Sequence, residues 1–416
     1  MLVYIVLGSL IAAGLVALVS RTPAEVRDAQ RPPDALDPEL GATFRPADQE
    51  RHGAFRRIGY TALAASLALQ VIVLLLLARG PVARLAERAG AWRGGWLTAA
   101  VVVAVVVGVV LWLSGLPLAY VRGHVVGHAW NLSTQDALGW FTDQLRGLGI
   151  GTAISLVAAL AFFGVVRGQP RAWWLIGWAT FTGLTALLTF LWPVAIAPLF
   201  NRFTPLEQGP LRERVVDLAA DAGVRLDDVL VADASRRSTL ENAYVAGLGA
   251  TKRMVLYDTL IEAGDEDQTA FVVAHELGHE VESHVPKGVA LSSLGLLVGF
   301  GGLFLLSRSE GVWRWAGAEG AGDVAALPLL ILYTVVAGLL LLPFQNAVSR
   351  SFERRADRIA LDLTDDPDTA VRSFRRLAYA NLSDLDPSPV VVTLLYTHPP
   401  VQDRIRAALA RARAAP

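Results

Sequence analysis

A short stretch in the second half of the chain has the residue types and spacing of a metal site. The segment Phe271-Val-Val-Ala-His275-Glu276-Leu-Gly-His279 has the pattern of an amphipathic helix. Residues four apart share a helix face, so the imidazoles of His275 and His279 can bind one metal ion. Glu276 lies beside the first imidazole and can take a proton from a metal-activated water. This is the H-E-x-x-H arrangement of zinc peptidases, in which zinc lowers the pKa of water to about 7.

A third ligand must come from elsewhere, because a catalytic zinc keeps three protein ligands and one open position. Glu280 and His284 follow closely, but on a continuing helix both point away from the ligand face. Glu353 and Asp357 lie four residues apart in a later polar segment. Glu353 can ligate zinc, and Asp357 can hydrogen-bond a ligating imidazole and fix its tautomer. The alternative, an exposed helix of Glu–Arg pairs, stays open on charge pattern alone.

Composition limits what else the chain can be. Of 416 residues, 53% are hydrophobic, and the mean hydropathy is +0.44, which is more apolar than soluble domains usually are. The net charge of -1 gives no indication of a nucleic-acid partner. The absence of cysteine excludes disulfides, thiolate metal ligands and a thiol nucleophile. One zinc ion held by nitrogen and oxygen ligands is therefore the predicted cofactor.

Apolar runs predict a polytopic, mainly α membrane protein, because about 20 residues cross a bilayer as a helix. Seven runs qualify: 2–20, 60–78, 96–120, 148–166, 173–200, 289–307 and 324–344. Two spans separate the large polar stretches 201–288 and 345–416, which places both on one side. That side carries 29 of the 37 Lys and Arg residues, so the positive-inside rule predicts that it is cytoplasmic. The loop 21–59, rich in acids and Pro, is predicted to be irregular.

These features predict a division of the chain into four segments. Five N-terminal spans occupy 1–200, and the first part of a small α+β metalloprotease domain occupies 201–288. Spans six and seven fill 289–344, and the second part of that domain fills 345–416. Within the first part, 243–257 has the pattern of two short strands around a Gly-rich turn. An exposed edge of this short β-sheet can hold an extended peptide by β-augmentation.

Several blocks of residues carry a family resemblance. They are H-E-L-G-H at 275–279, S-R-x-x-E-x-x-A-D at 349–357 and T-H-P-P-x-x-x-R-I at 397–405, with similar blocks N-A-Y-x-x-G at 242–247 and P-L-F-N-x-F-x-P-L-E at 198–207. With these motifs and its order of spans, the chain resembles the type I CAAX prenyl endopeptidases. These are seven-span membrane zinc metalloproteases of the a-factor-converting type. The heat-shock-induced membrane proteases share the first motif on fewer spans.

The resemblance implies a role for each matching position around the metal. His275, His279 and Glu353 would ligate one zinc ion. Glu276 would act as the general base and later as the general acid, and Asp357 would support a ligating histidine. The fold implied by the resemblance is a chamber enclosed by seven transmembrane helices.

The resemblance also implies residues that contact the substrate. His398 would stand near the scissile carbonyl and steady the developing oxyanion, with Arg404 close by. A donor placed beside an oxyanion is worth about 3–4 kcal/mol in comparable sites. Asn242, Tyr244 and Gly247 would bind the substrate, with Asn242 on an edge strand that pairs with its backbone.

The predicted function is hydrolysis of peptide bonds in prenylated C-terminal peptides or in membrane proteins under quality control. The predicted setting is the lipid bilayer of a bacterial plasma membrane. The alternative is a non-catalytic membrane scaffold or transporter with a structural metal site. The intact Glu276 favours the enzyme, because a structural site needs no base.

Two other motifs are weighed and rejected. His124 and His128 have the same four-residue spacing, but no glutamate follows the first histidine. Asp258 and Asp323 mimic the paired motifs of intramembrane aspartyl proteases. They fall in loops on opposite sides of the predicted membrane, whereas such a pair must share one proton at about 3 Å.

Overall fold

The fold is given by a computed structural model, in which residues 2–247 and 249–414 are described. The α-helices are α1 (Leu2–Ser20), α2 (Ala24–Arg27), α3 (Pro46–Ala78), α4 (Pro81–Gly90), α5 (Trp96–Tyr120), α6 (Gly127–Ala129), α7 (Ala137–Gly168), α8 (Trp173–Leu191), α9 (Pro210–Asp221), α10 (Asp258–Ala263), α11 (Glu266–Val281), α12 (His284–Leu306), α13 (Glu310–Trp315), α14 (Leu327–Thr364), α15 (Pro367–Ala380), α16 (Pro389–Leu395) and α17 (Val401–Ala414). The strands are β1 (Phe203–Pro205), β2 (Asp228–Ala232), β3 (Ala243–Ala246) and β4 (Arg253–Tyr257). Stretches of π-helix at Val121–Val126 and Trp192–Ile196 continue α5 and α8.

Among the described residues, seven helices are long and apolar enough to cross a membrane. They contain α1, α3, α5, α7, α8, α12 and α14, and their most apolar 18-residue windows have mean hydropathies of 1.6 to 2.7. A helix bonds its own backbone groups, as the hydrocarbon core requires. The prediction of a mainly helical, seven-span membrane protein is confirmed.

The seventh of these helices differs from its predicted extent. The predicted span ends at residue 344, directly after Pro343. A proline removes one helical hydrogen bond and favours a break, yet α14 runs unbroken through it to Thr364. Glu353 and Asp357 therefore lie on the same continuous helix as the last span.

A small mixed sheet lies beside the spans. Its strand order is β1-β2-β4-β3, with β2 parallel to β4 and the other pairs antiparallel. Ala243 pairs with Leu256 and Ala246 with Arg253, so β3 and β4 form the predicted pair of strands around a turn. β3 lies at the edge of the sheet, with one side open.

A close helix crossing fixes the position of the site. α11 packs against α14, and a Cβ on Gly278 would lie only 2.9 Å from the Cα of Ala356. Ala356 is fully buried. Glycine and alanine at this crossing let the two backbones approach closely, which brings the histidines of α11 opposite the carboxylates of α14.

The prediction that 21–59 is irregular is wrong in its last part, because α3 begins at Pro46. The preceding segment is held by Arg375 of α15, which is fully buried. Its Nε donates to the carbonyl of Ala35 at 2.5 Å, and its Nη1 donates to that of Gly41 at 3.0 Å. This segment thereby joins the hydrophobic core around α11 and α15, in which its Ala35 and Phe44 are buried.

Candidate active site

α11 places the two predicted histidine ligands side by side. The side chain of Asp265 accepts a hydrogen bond from the Gln268 amide at 2.7 Å and so caps the helix. Within the helix, His275 and His279 are one turn apart, and their Nε2 atoms lie 3.2 Å from each other. Two imidazole nitrogens at this distance can share one metal ion.

Glu353 of α14 completes the group. Its Oε2 lies 3.2 Å from Nε2 of His275, and its Oε1 lies 3.5 Å from Nε2 of His279. One ligand atom from each of the three residues lies within 4.8 Å of the others. Tetrahedral zinc with bonds of about 2.0–2.1 Å separates neighbouring ligand atoms by about 3.3–3.4 Å. The spacing and the two-nitrogen, one-oxygen donor set therefore fit a catalytic zinc ion.

A charged pair supports His275 from behind. Oδ1 of Asp357 lies 2.9 Å from Nδ1 of His275, and Arg404 binds both Asp357 oxygens, at 2.5 and 2.9 Å. Burial opposes the charged form of His275, but the bonds to Asp357 and Glu353 outweigh it and raise its pKa to about 9. A metal ion that binds Nε2 replaces that proton. The hydrogen bond from Nδ1 leaves Nε2 as the metal-facing atom.

A histidine that sequence reasoning set aside supports His279. Nδ1 of His284 lies 2.9 Å from Nδ1 of His279, and its ring stacks on Phe352 at 4.3 Å between centroids. Burial, followed by the charge of His275, lowers the pKa of His279 to about 4, so this ligand is neutral at pH 7. The spacing of His284 from His279 does not predict this contact, because on a continuing helix His284 points away from the ligand face.

Glu276 and His398 face the metal-ligand group. Glu276 is half-buried, and burial raises its pKa to about 7, with Glu353 adding to the increase. Nε2 of His398 lies 3.3 Å from Oε2 of Glu353, and Thr397 contacts its other ring nitrogen at 2.9 Å. Glu276 and His398 thus line one cavity together with the three candidate ligands.

Two cavities meet at these residues. One has a volume of about 400 Å³ and the other of about 360 Å³, and Glu276 and His398 line both. The edge strand runs alongside, because Tyr244 and Val245 of β3 line the second cavity. Asn242, predicted to lie on this strand, directly precedes it and lines the first cavity. Residues of β3 and the residue before it thus line both cavities beside the candidate ligands.

Arg404 and Gly247 have clear structural contacts. Arg404 lines the larger cavity, but its guanidinium is committed to Asp357. Gly247 follows β3 with a φ of 106°, and a Cβ there would lie 2.2 Å from the carbonyl oxygen of Thr251. Glycine is required at this turn, while its role toward a substrate stays a prediction.

The rejected aspartate pair has structural partners. Asp258 accepts hydrogen bonds from the Ser235 amide at 2.9 Å and its hydroxyl at 2.5 Å. Asp323 accepts one from the Ala325 amide at 2.9 Å and so caps a short helical turn. Both carboxylates therefore stabilise local structure.

Comparisons with known proteins agree with this geometry. The chain matches the model of peptidase family M48 over residues 205–412, and that of the CAAX prenyl protease N-terminal domain, with five membrane helices, over 27–202. The chain belongs to peptidase family M48. The resemblance to the CAAX prenyl endopeptidases is confirmed, and with it membership of the membrane zinc metalloendopeptidases.

Individual relatives of this M48 peptidase cover most of its length. The uncharacterized metalloprotease YhfN of Bacillus subtilis is 36% identical over 70% of this chain and 68% of its own. CAAX prenyl protease 1 of Saccharomyces cerevisiae is 30% identical over 71% of this chain and 68% of its own. The crystal structure of S. mikatae Ste24p covers 97% of this chain and 98% of its own, with a TM-score of 0.78 at 22% identity. That structure supports the fold.

Proposed function

We propose that this M48 peptidase holds one zinc ion with His275, His279 and Glu353 and hydrolyses peptide bonds with Glu276 as the base. The observation that carries the proposal is the convergence of two imidazole nitrogens from α11 and one carboxylate from α14, with contacts of 3.2–3.5 Å. When bound, zinc lowers the pKa of a water to about 7. Glu276 would accept the proton of that water and later deliver it to the leaving amine.

The remaining site residues would act on the substrate or on the ligands. His398 would donate to the oxygen that becomes negatively charged as water attacks the carbonyl. Asp357 would keep Nε2 of His275 free for the metal, and Arg404 would hold Asp357 in place. Support comes from the unbroken chain of contacts from Arg404 through Asp357 to His275.

The proposed substrate-binding element is the open edge of β3, with Asn242, Tyr244 and Gly247. The carbonyl of Asn242 accepts from the Tyr257 amide at 3.0 Å. Bonded pairs alternate along an antiparallel ladder, so the amide of Val245 faces the open edge. A substrate strand would bond to it, as in other β-augmentation complexes.

The proposed substrates are prenylated C-terminal peptides or membrane proteins in quality control. Relatives named CAAX prenyl protease 1 support the first class. An apolar cavity of about 630 Å³ among the spans adds support, with Phe162, Phe181 and Leu296 in its wall. Gln345, on the helix that carries Glu353, also lines it. A lipid chain would fit that cavity while its peptide lies at the metal.

The proposed location is a bacterial plasma membrane with the catalytic side in the cytoplasm. The bias of Lys and Arg toward the catalytic side supports that orientation, and the relative from Bacillus subtilis supports a bacterial setting. The division into 1–200, 201–288, 289–344 and 345–416 remains a proposal.

Replacement of Glu276 tests the chemistry. The Glu276→Gln variant should keep zinc and lose at least ~100-fold in activity, because an amide cannot accept the proton. Glu266→Gln, at the exposed first turn of the same helix, is the matched control. Equal activity of Glu276→Gln and the wild type would end the protease proposal.

Replacement of Val245 tests the edge strand. Val245→Pro removes the outward amide and spares the β3–β4 bonds, so cleavage should fall while zinc content stays intact. Val245→Ala keeps the amide and serves as control. Unchanged cleavage by the proline variant would count against peptide binding at this edge.

Paired peptides test the substrate class. Metal analysis is combined with cleavage of a farnesylated peptide and of its unlipidated twin. Faster cleavage of the farnesylated peptide supports prenylated substrates. Equal rates would favour membrane proteins in quality control.

A further inference from the structure

The segment that carries His398 has little apolar packing. α16 spans seven residues and contains no buried residue, and its Val390 is 66% exposed. It ends at Leu395, three residues before His398. A helix this short is unstable on its own, so its position depends on polar attachments.

Two side chains of α14 supply such attachments. Nδ2 of Asn346 donates to the carbonyl of Leu394 at 2.7 Å. Nη1 of Arg350 donates to the carbonyls of Val392 at 2.8 Å and Tyr396 at 2.7 Å. The last carbonyls of a helix lack donors within it, and a cation near them is favourable. Asn346 and Arg350 therefore cap the C-terminal end of α16.

The same face of α14 also carries metal-site residues. Asn346, Arg350, Glu353 and Asp357 follow one another at intervals of four, three and four residues, which places them on one stripe of the helix. Glu353 contacts both ligating histidines and lies 3.3 Å from Nε2 of His398. One rigid surface thus holds a metal ligand and the segment that ends in His398.

We propose that Asn346 and Arg350 are positioning residues that set the distance between His398 and the metal site. The inference rests on the proposed role of His398 beside the oxyanion. The planar guanidinium of Arg350 binds two carbonyls, one of them only two residues before His398. Neither residue lines the cavities at the metal ligands, so their action on the reaction runs through the His398 segment.

Variants of the full chain in a membrane mimetic test this proposal. Arg350→Ala should lower kcat by about 100-fold, the cost of roughly 1 Å of misplacement, with KM and zinc content nearly unchanged. Arg350→Lys should keep part of the activity, because an ammonium can still donate to one carbonyl. Asn346→Ala provides a second route to the same effect. Arg354→Ala, at an exposed position of the same helix, is the control.

A double-mutant cycle with His398→Ala separates positioning from general structural damage. If Arg350 acts through His398, Arg350→Ala should change the residual activity of His398→Ala by less than about twofold. Equal losses in both backgrounds, or loss of zinc in Arg350→Lys and Asn346→Ala, would overturn the proposal. So would full activity in Arg350→Ala.

Amide hydrogen exchange gives a readout that does not depend on turnover. Exchange in 388–400 should accelerate in the Arg350→Lys and Asn346→Ala variants and stay unchanged in α11. Unchanged exchange in 388–400 would refute the attachment. Failure of the proposed function would give a different result: the wild type would not cleave peptides, or Glu276→Gln would cleave them as fast as the wild type.

Discussion

The two ligating histidines are supported by opposite kinds of chemistry. Behind His275 stands a buried charged pair, in which Asp357 bonds to Nδ1 and Arg404 binds both carboxylate oxygens. Behind His279 stands the ring of His284, whose Nδ1 lies 2.9 Å from Nδ1 of His279. The nearest carboxylate to His284, that of Glu282, is 4.0 Å from its other ring nitrogen. One ligand depends on electrostatics and the other on a neutral hydrogen bond.

The two supports also belong to different parts of the molecule. Arg404 lies on α17, whose Ile405 and Ala408 are buried in the hydrophobic core around α11 and α15. His284 is the first residue of α12, the sixth membrane-crossing helix. The proposed metal site thus lies between this hydrophobic core and the sixth membrane-crossing helix. A substitution in the Asp357–Arg404 pair should leave an unpaired buried ion. A substitution of His284 should remove only its hydrogen bond to His279 and its ring contact with Phe352.

The largest effect is expected from Asp357→Asn. This change leaves the guanidinium of Arg404 without its counter-ion, which typically costs about 3–5 kcal/mol for a buried pair. It also leaves a single acceptor oxygen for both His275 and Arg404 and places an NH2 group, a donor, against them, so zinc affinity should fall about 100-fold. Chelator competition measures the affinity, and unfolding in detergent measures the stability.

Asp362→Asn is the matched control for that change. Asp362 lies on the same helix and pairs with Arg411 of α17 at 3.2 Å, but both side chains are well exposed. Exposed pairs contribute about 0–1 kcal/mol. If Asp357→Asn costs no more than Asp362→Asn, the charged support of His275 is not important for stability.

A smaller effect is expected from His284→Phe. Phenylalanine keeps a ring that can stack on Phe352 but cannot bond to His279. Zinc affinity should fall about 10-fold, with a change in unfolding free energy below about 1 kcal/mol, since no charge is left unpaired. Zinc titration and thermal unfolding measure both. A loss of affinity as large as that of Asp357→Asn would contradict the contrast between the two sides.

His284 shows one limit of prediction from sequence. On a continuing helix it points away from the ligands, and that argument fails because the chain turns at Ser283, which has a left-handed φ of 52°. Glycine or asparagine usually marks such a turn, and neither is present here. The helical contacts of His275 with His279, by contrast, follow from spacing alone.

α14 shows a second limit. The spacing of Glu353 and Asp357 predicts a shared helix face, but not that this face meets α11. That meeting depends on the close crossing of Gly278 and Ala356, which no local pattern encodes. The need for a third ligand makes Glu353 a candidate, and the charge pattern alone leaves an exposed helix open as the alternative. Pro343 favours a helix end, yet α14 continues through it. Local periodicity thus predicts each face, and tertiary packing decides which faces meet.

The smallest effects on zinc affinity are expected from changes to the aromatic rings behind the two supports. Phe352 stacks on His284, whereas Phe374 lies under Arg404, with its centroid 4.3 Å from the guanidinium carbon. Phe352→Leu should raise the zinc dissociation constant by about two- to threefold, because an aromatic contact of about 0.5–1.5 kcal/mol acts only through His284. Zinc titration of purified protein measures this.

Phe374→Leu is the matched change on the charged side. Phe374 is almost fully buried in the hydrophobic core around α11 and α15. Its replacement by leucine should therefore mainly reduce the unfolding free energy, by about 1–2 kcal/mol. Zinc affinity should change less, because Asp357 still pairs with Arg404. The opposite result would contradict this comparison: Phe352→Leu would mainly lower stability, and Phe374→Leu would mainly lower zinc affinity. The distinction between the charged support of His275 and the neutral support of His279 would then be wrong.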